Sequence, residues 1–277
     1  MSGRHPPGPW PDWDPPADPG EPEVILAPDP AGCAAVGATR LAAAIERAVA
    51  ARGRADVATT GGSTPAGIYA ALAARPRRER LPWATLHVWF GDDRFVPRDH
   101  PDSNVGPLDR ALVAGRAPEG PLPAANVHPF PVDEVMASGA GPAACAARYA
   151  EEIRAALPAT ANGLPAFDAI LVGLGPDGHL LSVFPGSEVP TGRDLAAAVP
   201  APTHIGPHLP RVTLHPAVLD ATPVLLAVAF GPGKAAIVSR LLDGPRDLAA
   251  LPAQRARRAG ASWILDEAAA AELRTRG

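Results

Sequence analysis

The chain has 277 residues, of which 47% are hydrophobic, and its 25 basic and 29 acidic side chains leave a net charge of −4. This charge argues against binding to nucleic acid or to an anionic membrane. The longest apolar run, residues 224–230, is far shorter than the about 20 residues that a membrane span requires. The first residues lack the apolar stretch of a secretory signal, and Cys33 and Cys145 are far apart in sequence. We therefore expect a cytoplasmic protein with reduced thiols.

The first 22 residues are rich in proline, glycine and aspartate, and ten of the 36 prolines fall within residues 1–30. Proline cannot propagate a helix or a central strand. We expect residues 1–22 to be a disordered extension and residues 23–277 to form a single domain.

Strand-like and helix-like segments alternate along this domain. The predicted strands are Glu23–Ala27, Asp56–Thr60, Thr85–Phe90, Phe167–Val172, Val224–Phe230 and Ser262–Leu265. The predicted helices are Gly32–Arg52, Pro65–Ala74, Gly141–Leu157, Lys234–Leu242 and Asp266–Arg274. Several strands are almost entirely apolar, which is typical of a parallel sheet covered by helices on both faces. The pattern predicts a three-layer, doubly wound α/β fold, with residues 185–216 as an irregular excursion near the ligand-binding edge of the sheet.

The first motif that carries chemistry is the TTGGSTP loop of residues 59–65, between a predicted strand and a predicted helix. Gly61 and Gly62 let the backbone approach a ligand closely, and Ser63 or Thr64 is suited to cap the helix. Backbone N–H groups at a helix N-terminus attract anions, of which phosphate is the usual one. The loop is either such an anion site or an ordinary capped turn.

The second motif, FGDDRFVP at residues 90–97, directly follows the next strand. Charged side chains at the carboxyl end of a buried parallel strand lie where α/β sheets hold substrates. The guanidinium of Arg94 offers a planar fork of donors suited to phosphate or carboxylate. A surface ion pair between Asp92 and Arg94 is the alternative interpretation.

The third motif, GLGPDGH at residues 173–179, contains the G-x-G-x-x-G pattern of dinucleotide-binding sites. Pro176 and the breaker at residues 184–186 leave little room for the helix that such a site requires. The loop instead presents His179 beside Asp177, and histidine is the usual general base near neutral pH. A structural role for His179 is the alternative.

The fourth motif, FGPGKAA at residues 230–236, places Lys234, the single lysine beside 24 arginines, in a glycine loop before a helix. It is not a Walker A loop, because Ala235 stands where a serine or threonine would bind magnesium. A cation is unfavourable at a helix N-terminus, so an anionic ligand explains this lysine better than helix stability does. His204 and His208 are separated by a glycine and a proline that disfavour a helix, and no other grouping has metal-ligand spacing, so we expect no metal and no cofactor.

These four motifs, in this order, resemble the 6-phosphogluconolactonase family of the glucosamine-6-phosphate isomerase superfamily over about residues 23–270. The resemblance also covers Arg211–Leu214 (RVTL), and it implies a NagB/Rossmann-like fold. Asp93 stands where the family usually has glutamate, and Leu180 and Leu181 replace its usual threonine and alanine. The resemblance implies that the substrate phosphate is held by Gly61, Gly62, Ser63, Thr64, Arg94 and Lys234.

The reaction implied by the resemblance is hydrolysis of 6-phospho-D-glucono-1,5-lactone to 6-phospho-D-gluconate, the second step of the oxidative pentose phosphate pathway. Neutral His179 would take a proton from the water that attacks C1, while Asp92 or Asp177 would orient the imidazole or bind sugar hydroxyls. We expect the small sugar-phosphate lactone as the partner, and a monomer or a weak homodimer.

Three other functions stay open at this point. Sugar-phosphate deaminases and isomerases resemble Asp-Glu-Tyr where this chain has Asp92–Arg94, and Asn-Glu-Pro where it has Phe184–Gly186, so both differences favour the lactonase. A non-catalytic sugar-phosphate sensor of a transcription regulator requires a basic helix-turn-helix, which residues 1–22 cannot form. A nucleotide-dependent oxidoreductase would bind NAD(P) through residues 173–178.

Overall fold

The computed structural model describes residues 19–117, 120–160 and 163–274. The helices are α1 Pro30–Arg52, α2 Ser63–Ala73, α3 Arg77–Arg80, α4 Val105–Leu112, α5 Val132–Ala137, α6 Pro142–Ala156, α7 Val218–Ala221 and α8 Ala235–Asp243. The strands are β1 Glu23–Ala27, β2 Ala55–Thr59, β3 Leu86–Phe90, β4 Asp92–Arg94, β5 Val127–His128, β6 Ala169–Gly173, β7 Ala196–Val199, β8 Arg211–Leu214, β9 Val224–Ala229 and β10 Ala261–Asp266. All six predicted strands and four of the five predicted helices are present, with bounds shifted by at most two residues.

Seven of the strands in the described part of the chain form a parallel sheet in the order β1-β10-β9-β6-β2-β3-β5. Every residue of β2 and β10 is buried, and β6 and β9 are buried except at one end. Strands of this kind need apolar side chains on both faces, which is why β6 (AILVG) and β9 (VLLAVA) are continuous apolar runs in the sequence. The predicted α/β fold with its mostly parallel sheet is confirmed.

Local chemistry sets the bounds of the longest helix, α1. The carboxylate of Asp29 accepts a hydrogen bond from the N–H of Gly32 at 2.7 Å, which caps the first turn. Pro30 takes a position where a backbone N–H would have no partner within the helix. Gly53 ends the helix in the left-handed conformation, with φ of 75°, which glycine adopts without steric cost.

The predicted helix Asp266–Arg274 is wrong. The last strand continues to Asp266, and turns follow it. The carboxylate of Asp266 accepts hydrogen bonds from the N–H of Ala269 at 2.8 Å and of Gly231 at 2.9 Å. These bonds close a tight turn and tie it to the loop after β9, so the backbone leaves the helical path that its alanines favour.

The excursion at residues 185–216 is less irregular than predicted. It contains β7 and β8, which pair with β4 in a second, antiparallel sheet of order β4-β8-β7. Because β4 and β8 are far apart in sequence, their pairing depends on tertiary contacts that a local pattern does not reveal.

The four polar motifs follow four neighbouring strands of the large sheet, in the spatial order β9-β6-β2-β3. After β1, which lies at one edge of the sheet, the chain adds strands outward from β2 on one side and from β6 on the other, so the direction of winding reverses between β2 and β6. Doubly wound sheets bind ligands at such a switch point, beside the carboxyl ends of the strands. The small sheet joins the same edge, where the N–H of Gly91 donates to the carbonyl of Thr59 and the N–H of Leu214 donates to that of Gly91, both at 2.7 Å.

Of the predicted N-terminal extension, residues 1–18 lie outside the described residues. Residues 19–22 run along the C-terminal part of the chain. The N–H of Ala259 donates to the carbonyl of Pro19 at 2.7 Å, and Arg257 pairs with Glu21 at 3.1 Å. Within the described ranges, every helix is too short or too polar to cross a lipid bilayer.

Candidate active site

The loop after β6 brings an imidazole and a carboxylate into direct contact. Nδ1 of His179 donates to Oδ1 of Asp177 at 2.5 Å, and the backbone N–H of His179 donates to the same oxygen at 3.1 Å. The side chains of the two residues are 19% and 18% exposed. Because Nδ1 carries the donated proton, Nε2 is the basic nitrogen of the ring.

Asp177 is held in its charged form. Partial burial would raise its pKa, but the hydrogen bonds from His179 and His204 and the charge of a protonated His179 outweigh burial and hold the pKa well below its usual range. A carboxylate in contact with Nδ1 stabilises the imidazolium that forms when His179 accepts a proton at Nε2. The pair has the geometry and the charge of a general base with its orienting group.

The glycines of this loop make room for the imidazole. A Cβ atom on Gly175 would lie 2.1 Å from Nδ1 of His179, and Gly178 has a φ of +88° that favours glycine. Residues 174–188 form turns, bends and isolated bridges, and no helix follows β6 directly. The G-x-G-x-x-G pattern therefore has a steric cause inside the loop, and the helix that a dinucleotide site requires is absent from this described segment.

The chain directly after His179 is strained at Leu181, whose φ of +56° is rare for a residue with a side chain. A Cβ atom on Gly91 would lie 2.7 Å from Cδ2 of Leu181, so the leucine packs closely against the end of β3. The hydroxyl of the next residue, Ser182, donates to Oδ2 of Asp92 at 2.6 Å. These contacts offset a strain of about 1 kcal/mol and fix the histidine loop to β4.

Lys234 lies beside the histidine loop. It occupies the residue before α8, and its Nζ donates to the carbonyl of Leu174 at 2.5 Å. Partial burial lowers the pKa of Lys234, while the negative charge of Asp177 raises it again in part. The structure therefore places an ammonium group close to the histidine–aspartate pair, at the helix start that the sequence indicates.

The loop after β2 forms the N-terminus of α2. The helix begins at Ser63 with Gly62, at φ of 100°, in the capping position. The capping position is therefore occupied by Gly62, one residue before the Ser63 and Thr64 that the sequence suggested for it. The first N–H groups of a helix have no partner within it, so this end keeps its attraction for anions. Gly61 is packed too tightly for a side chain, since a Cβ atom there would lie 1.8 Å from Oδ1 of Asn104.

Two arginines face each other across the small sheet. Arg94 on β4 and Arg211 on β8 are register partners. Nη1 of Arg94 donates to the carbonyl of Asp102 at 2.7 Å, and Nη2 of Arg211 donates to that of Pro207 at 3.1 Å. The Nε of each arginine is buried without a hydrogen-bond partner among the described residues. Burial and the charge of Arg94 lower the pKa of Arg211. Paired guanidinium groups with unused donors are suited to an anion.

Asp92 supports this part of the site. Besides the bond from Ser182, its Oδ1 accepts a weaker bond from Nδ2 of Asn104 at 3.3 Å. Asp92 is 4% exposed and its carboxylate bonds to Ser182 and Asn104, so the interpretation as a surface ion pair with Arg94 is wrong. Of the two carboxylates proposed to orient the imidazole, Asp177 has that position, and Asp92 instead connects the histidine loop to β4.

Asp93 anchors the chain around Arg94. Its Oδ1 accepts hydrogen bonds from the N–H groups of Arg94 and Asn104, both at 2.7 Å. Burial raises the pKa of Asp93 to about 7, although these two bonds oppose the change. Asp93 is thus a buried carboxyl group that shapes the backbone from β4 to α4.

Sequence reasoning missed three side chains that the fold adds to the site. The ring of Phe184 lies 4.8 Å from that of His179 and 5.6 Å from that of His204, and Cζ of Arg211 lies 5.4 Å from its centroid. The sequence around Arg211 contained a signal, because a charged residue in the apolar strand RVTL is costly to bury unless a partner or a ligand pairs with it. His204 had none, because its partner Asp177 is 27 residues away.

Neither cysteine is suited to nucleophilic catalysis. Burial raises the pKa of the Cys33 thiol to about 11 and that of Cys145 to about 12, so both are protonated near neutral pH. Among the residues that the structure describes, no group of three or more His, Cys, Asp or Glu side chains is arranged to hold a metal ion. The expectation that no metal is required stays a prediction.

The site defines the class of protein. A histidine–aspartate pair beside a cluster of cationic and N–H groups, at the switch point of a doubly wound sheet, is an arrangement typical of α/β enzymes that act on small anionic substrates. The family model described as "Glucosamine-6-phosphate isomerases/6-phosphogluconolactonase" matches residues 28–265. The chain belongs to this family.

Relatives cover nearly the whole chain. The 6-phosphogluconolactonase of Streptomyces coelicolor is 36% identical over 261 residues, which cover 91% of this chain and 95% of that protein. The 6-phosphogluconolactonase of Synechocystis sp. is 35% identical over 231 residues, covering 83% and 89%. The solved structure of 6-phosphogluconolactonase from Trypanosoma brucei is similar with a TM-score of 0.78 at 28% identity, covering 92% of this chain and 100% of that one.

Proposed function

We propose that this protein hydrolyses 6-phospho-D-glucono-1,5-lactone to 6-phospho-D-gluconate, the second step of the oxidative pentose phosphate pathway. The contact between His179 and Asp177 is the observation that carries the proposal, because it supplies a base of defined orientation beside a cationic cluster. The names of the relatives that share most of the chain support the same reaction.

The chemical step needs one base and no covalent nucleophile. Nε2 of His179 takes a proton from a water molecule while the water oxygen forms a bond to C1 of the lactone. The bond between C1 and the ring oxygen then breaks, and the imidazolium returns its proton to that oxygen. Asp177 holds Nδ1 and balances the positive charge meanwhile. Acid–base help of about 10²- to 10⁴-fold, together with positioning, is sufficient for an ester that already hydrolyses in water.

The substrate phosphate provides the positioning. The residues proposed to bind it are Gly61, Gly62, Ser63, Thr64, Arg94 and Lys234. We add Arg211 to the proposal, because it is the register partner of Arg94. The N-terminus of α2 offers backbone N–H groups, and the two arginines have buried donors without a partner in the described ranges. A doubly charged phosphate satisfies both kinds of donor, which supports its binding on this side of the site.

The test follows the loss of 6-phosphogluconolactone above its spontaneous hydrolysis, with wild type and His179→Ala compared at equal concentrations of folded protein. We expect the variant to lose about 10²- to 10⁴-fold in kcat with little change in KM. Full turnover by a folded variant would exclude His179 as the base. An inactive wild type would exclude the lactonase itself.

A parallel assay for ammonia release from glucosamine 6-phosphate separates the lactonase from the deaminase branch. We expect no release, because the deaminase needs a carboxylate base for transfer of a proton between carbons, whereas His179 occupies the base position here.

We further propose that the enzyme works in the cytoplasm, as a monomer or weak homodimer. Sedimentation at micromolar concentration measures its oligomeric state.

A further inference from the structure

The carboxylate of Asp177 is shared by two imidazoles. Its Oδ1 accepts the hydrogen bond from Nδ1 of His179 at 2.5 Å, and its Oδ2 accepts one from Nε2 of His204 at 2.8 Å. We propose that His204 is a positioning residue, which acts on His179 through Asp177. This inference rests on the proposed role of His179 as the base.

The geometry gives the second bond a specific effect. A carboxylate with a donor on one oxygen can still rotate about its Cβ–Cγ bond, and rotation moves the acceptor away from the imidazole. Donors on both oxygens of Asp177 fix the plane of the group, so the direction of Nε2 in His179 is fixed as well. In many enzymes, a residue that bonds to the group orienting a catalytic side chain acts in this way. It narrows the range of orientations that the reacting atom can take.

The position of His204 suits a role that acts through Asp177. Its Nε2 lies 2.8 Å from Oδ2 of Asp177, and its ring meets that of Phe184 edge-on at 89°, while Phe184 also lies against the ring of His179. The side chain of His204 is 49% exposed, compared with 18% for Asp177. A half-exposed donor to a charged acceptor contributes less than a buried one, so its removal has a moderate effect.

The loop that carries His204 has its own support. Nδ1 of His208 lies 2.6 Å from the carbonyl of Pro202, so a hydrogen bond within the loop joins its two ends. This bond does not involve Asp177. His208 therefore offers a matched control, because its substitution perturbs the same loop without removing the donor from the carboxylate.

The experiment measures lactone hydrolysis by His204→Ala and His204→Gln. We expect His204→Ala to lower kcat by about three- to tenfold with KM within about twofold, because the charge-assisted bond orients the base without touching substrate. Glutamine keeps an N–H donor at a similar distance from the backbone, so His204→Gln should recover kcat to within about twofold of wild type. The control His208→Ala should also stay within about twofold.

A double-mutant cycle tests whether His204 works through Asp177. In an Asp177→Ala background we expect His204→Ala to change kcat by less than about twofold, because the carboxylate that connects the two imidazoles is gone. Wild-type kcat in His204→Ala would overturn the inference. So would an equal loss in the Asp177→Ala background, or a loss in His208→Ala that matches the loss in His204→Ala. If His179→Ala is inactive while any of these results is found, the lactonase assignment stands and only the role of His204 fails.

Discussion

The two halves of the site differ in how their polar groups are satisfied. On the side of β6, the imidazoles of His179 and His204 are both hydrogen-bonded to the carboxylate of Asp177. On the side of β4 and β8, Nε of Arg94 and Nε of Arg211 are buried with no partner in the described part of the chain. The carboxylate on the β6 side has its hydrogen bonds from within the protein, whereas the arginines on the β4 and β8 side keep unused donors.

The difference follows from what each half does in the proposed reaction. A base must have its direction fixed before the water attacks, because reorientation during the step raises the barrier. A receptor for phosphate works in the opposite way, since donors satisfied by the protein would have to lose those bonds before they could bind the substrate. Buried unpaired donors reduce stability, and the substrate offsets that cost when it binds.

The largest expected effect comes from removing the carboxylate that connects the imidazoles on the β6 side. Asp177→Asn removes the negative charge beside His179 and lets the amide donate to Nδ1, which favours the wrong tautomer. We expect kcat to fall about 10²-fold or more while KM changes little. Steady-state kinetics with folding checked by circular dichroism measures this. A large rise in KM at unchanged kcat would instead place Asp177 among the substrate-binding groups.

The next effect comes from the half with unused donors. Arg211→Met keeps much of the side-chain volume but removes one of the two facing guanidinium groups. We expect KM to rise about tenfold or more and kcat to change less than about threefold, because the lost contact is made equally in the ground and transition states. Arg154→Met on the exposed face of α6 is the control and should match wild type. A loss confined to kcat would assign Arg211 to the reacting centre and end the division into two halves.

A smaller effect is expected at Lys234, which lies beside the histidine loop on the β9 side of β6. Lys234→Arg preserves the charge but replaces a compact ammonium, bonded to the carbonyl of Leu174, with a bulky planar fork. We expect KM to rise about three- to tenfold, with kcat within about twofold. Arg75→Lys and Arg80→Lys, at exposed positions after α2, should leave both constants unchanged. An unchanged KM in Lys234→Arg would mean that only charge matters at this position.

The smallest effect concerns a second pair of imidazoles, outside the site. Nδ1 of His87 lies 2.9 Å from Nε2 of His128, which stacks on Trp89 with ring centroids 4.1 Å apart. Burial, followed by the charges of His87 and Arg54, lowers the pKa of His128 to about 4, whereas its ordinary value is 6.5. The unfolded chain therefore binds a proton that the folded protein does not, and stability falls as the pH drops from about 6.5 towards 4.

We expect the free energy of unfolding to decrease by about 1 kcal/mol from this group between pH 7.5 and pH 5, after its partial exposure is allowed for. Urea unfolding at the two pH values measures the change. His128→Phe should reduce the pH dependence, while His100→Gln, at an exposed loop position, should keep it. An equal pH dependence of the free energy of unfolding in wild type and His128→Phe would show that His128 does not cause this dependence.

Much of the fold was predictable because it depends on local signals. Apolar runs identified the six strands, and Asp29 and Gly53 mark the ends of α1. The segment after Asp266 was predicted wrongly, because its alanines favour a helix while the side chain of Asp266 bonds to the backbone and stabilises turns. The small sheet was missed for a related reason, because strands of three and four residues far apart in sequence leave no periodic pattern.

The sequence by itself determined which chemical groups the protein has and that they follow strands. Parallel strands align their carboxyl ends, so motifs that follow strands meet at one edge of the sheet whatever their distance along the chain. Only the tertiary structure decided that Asp177 rather than Asp92 holds His179, that Arg211 faces Arg94, and that His204 reaches Asp177. Contacts of this kind depend on strand order, on register and on how each loop turns, and these are set by packing across the whole domain.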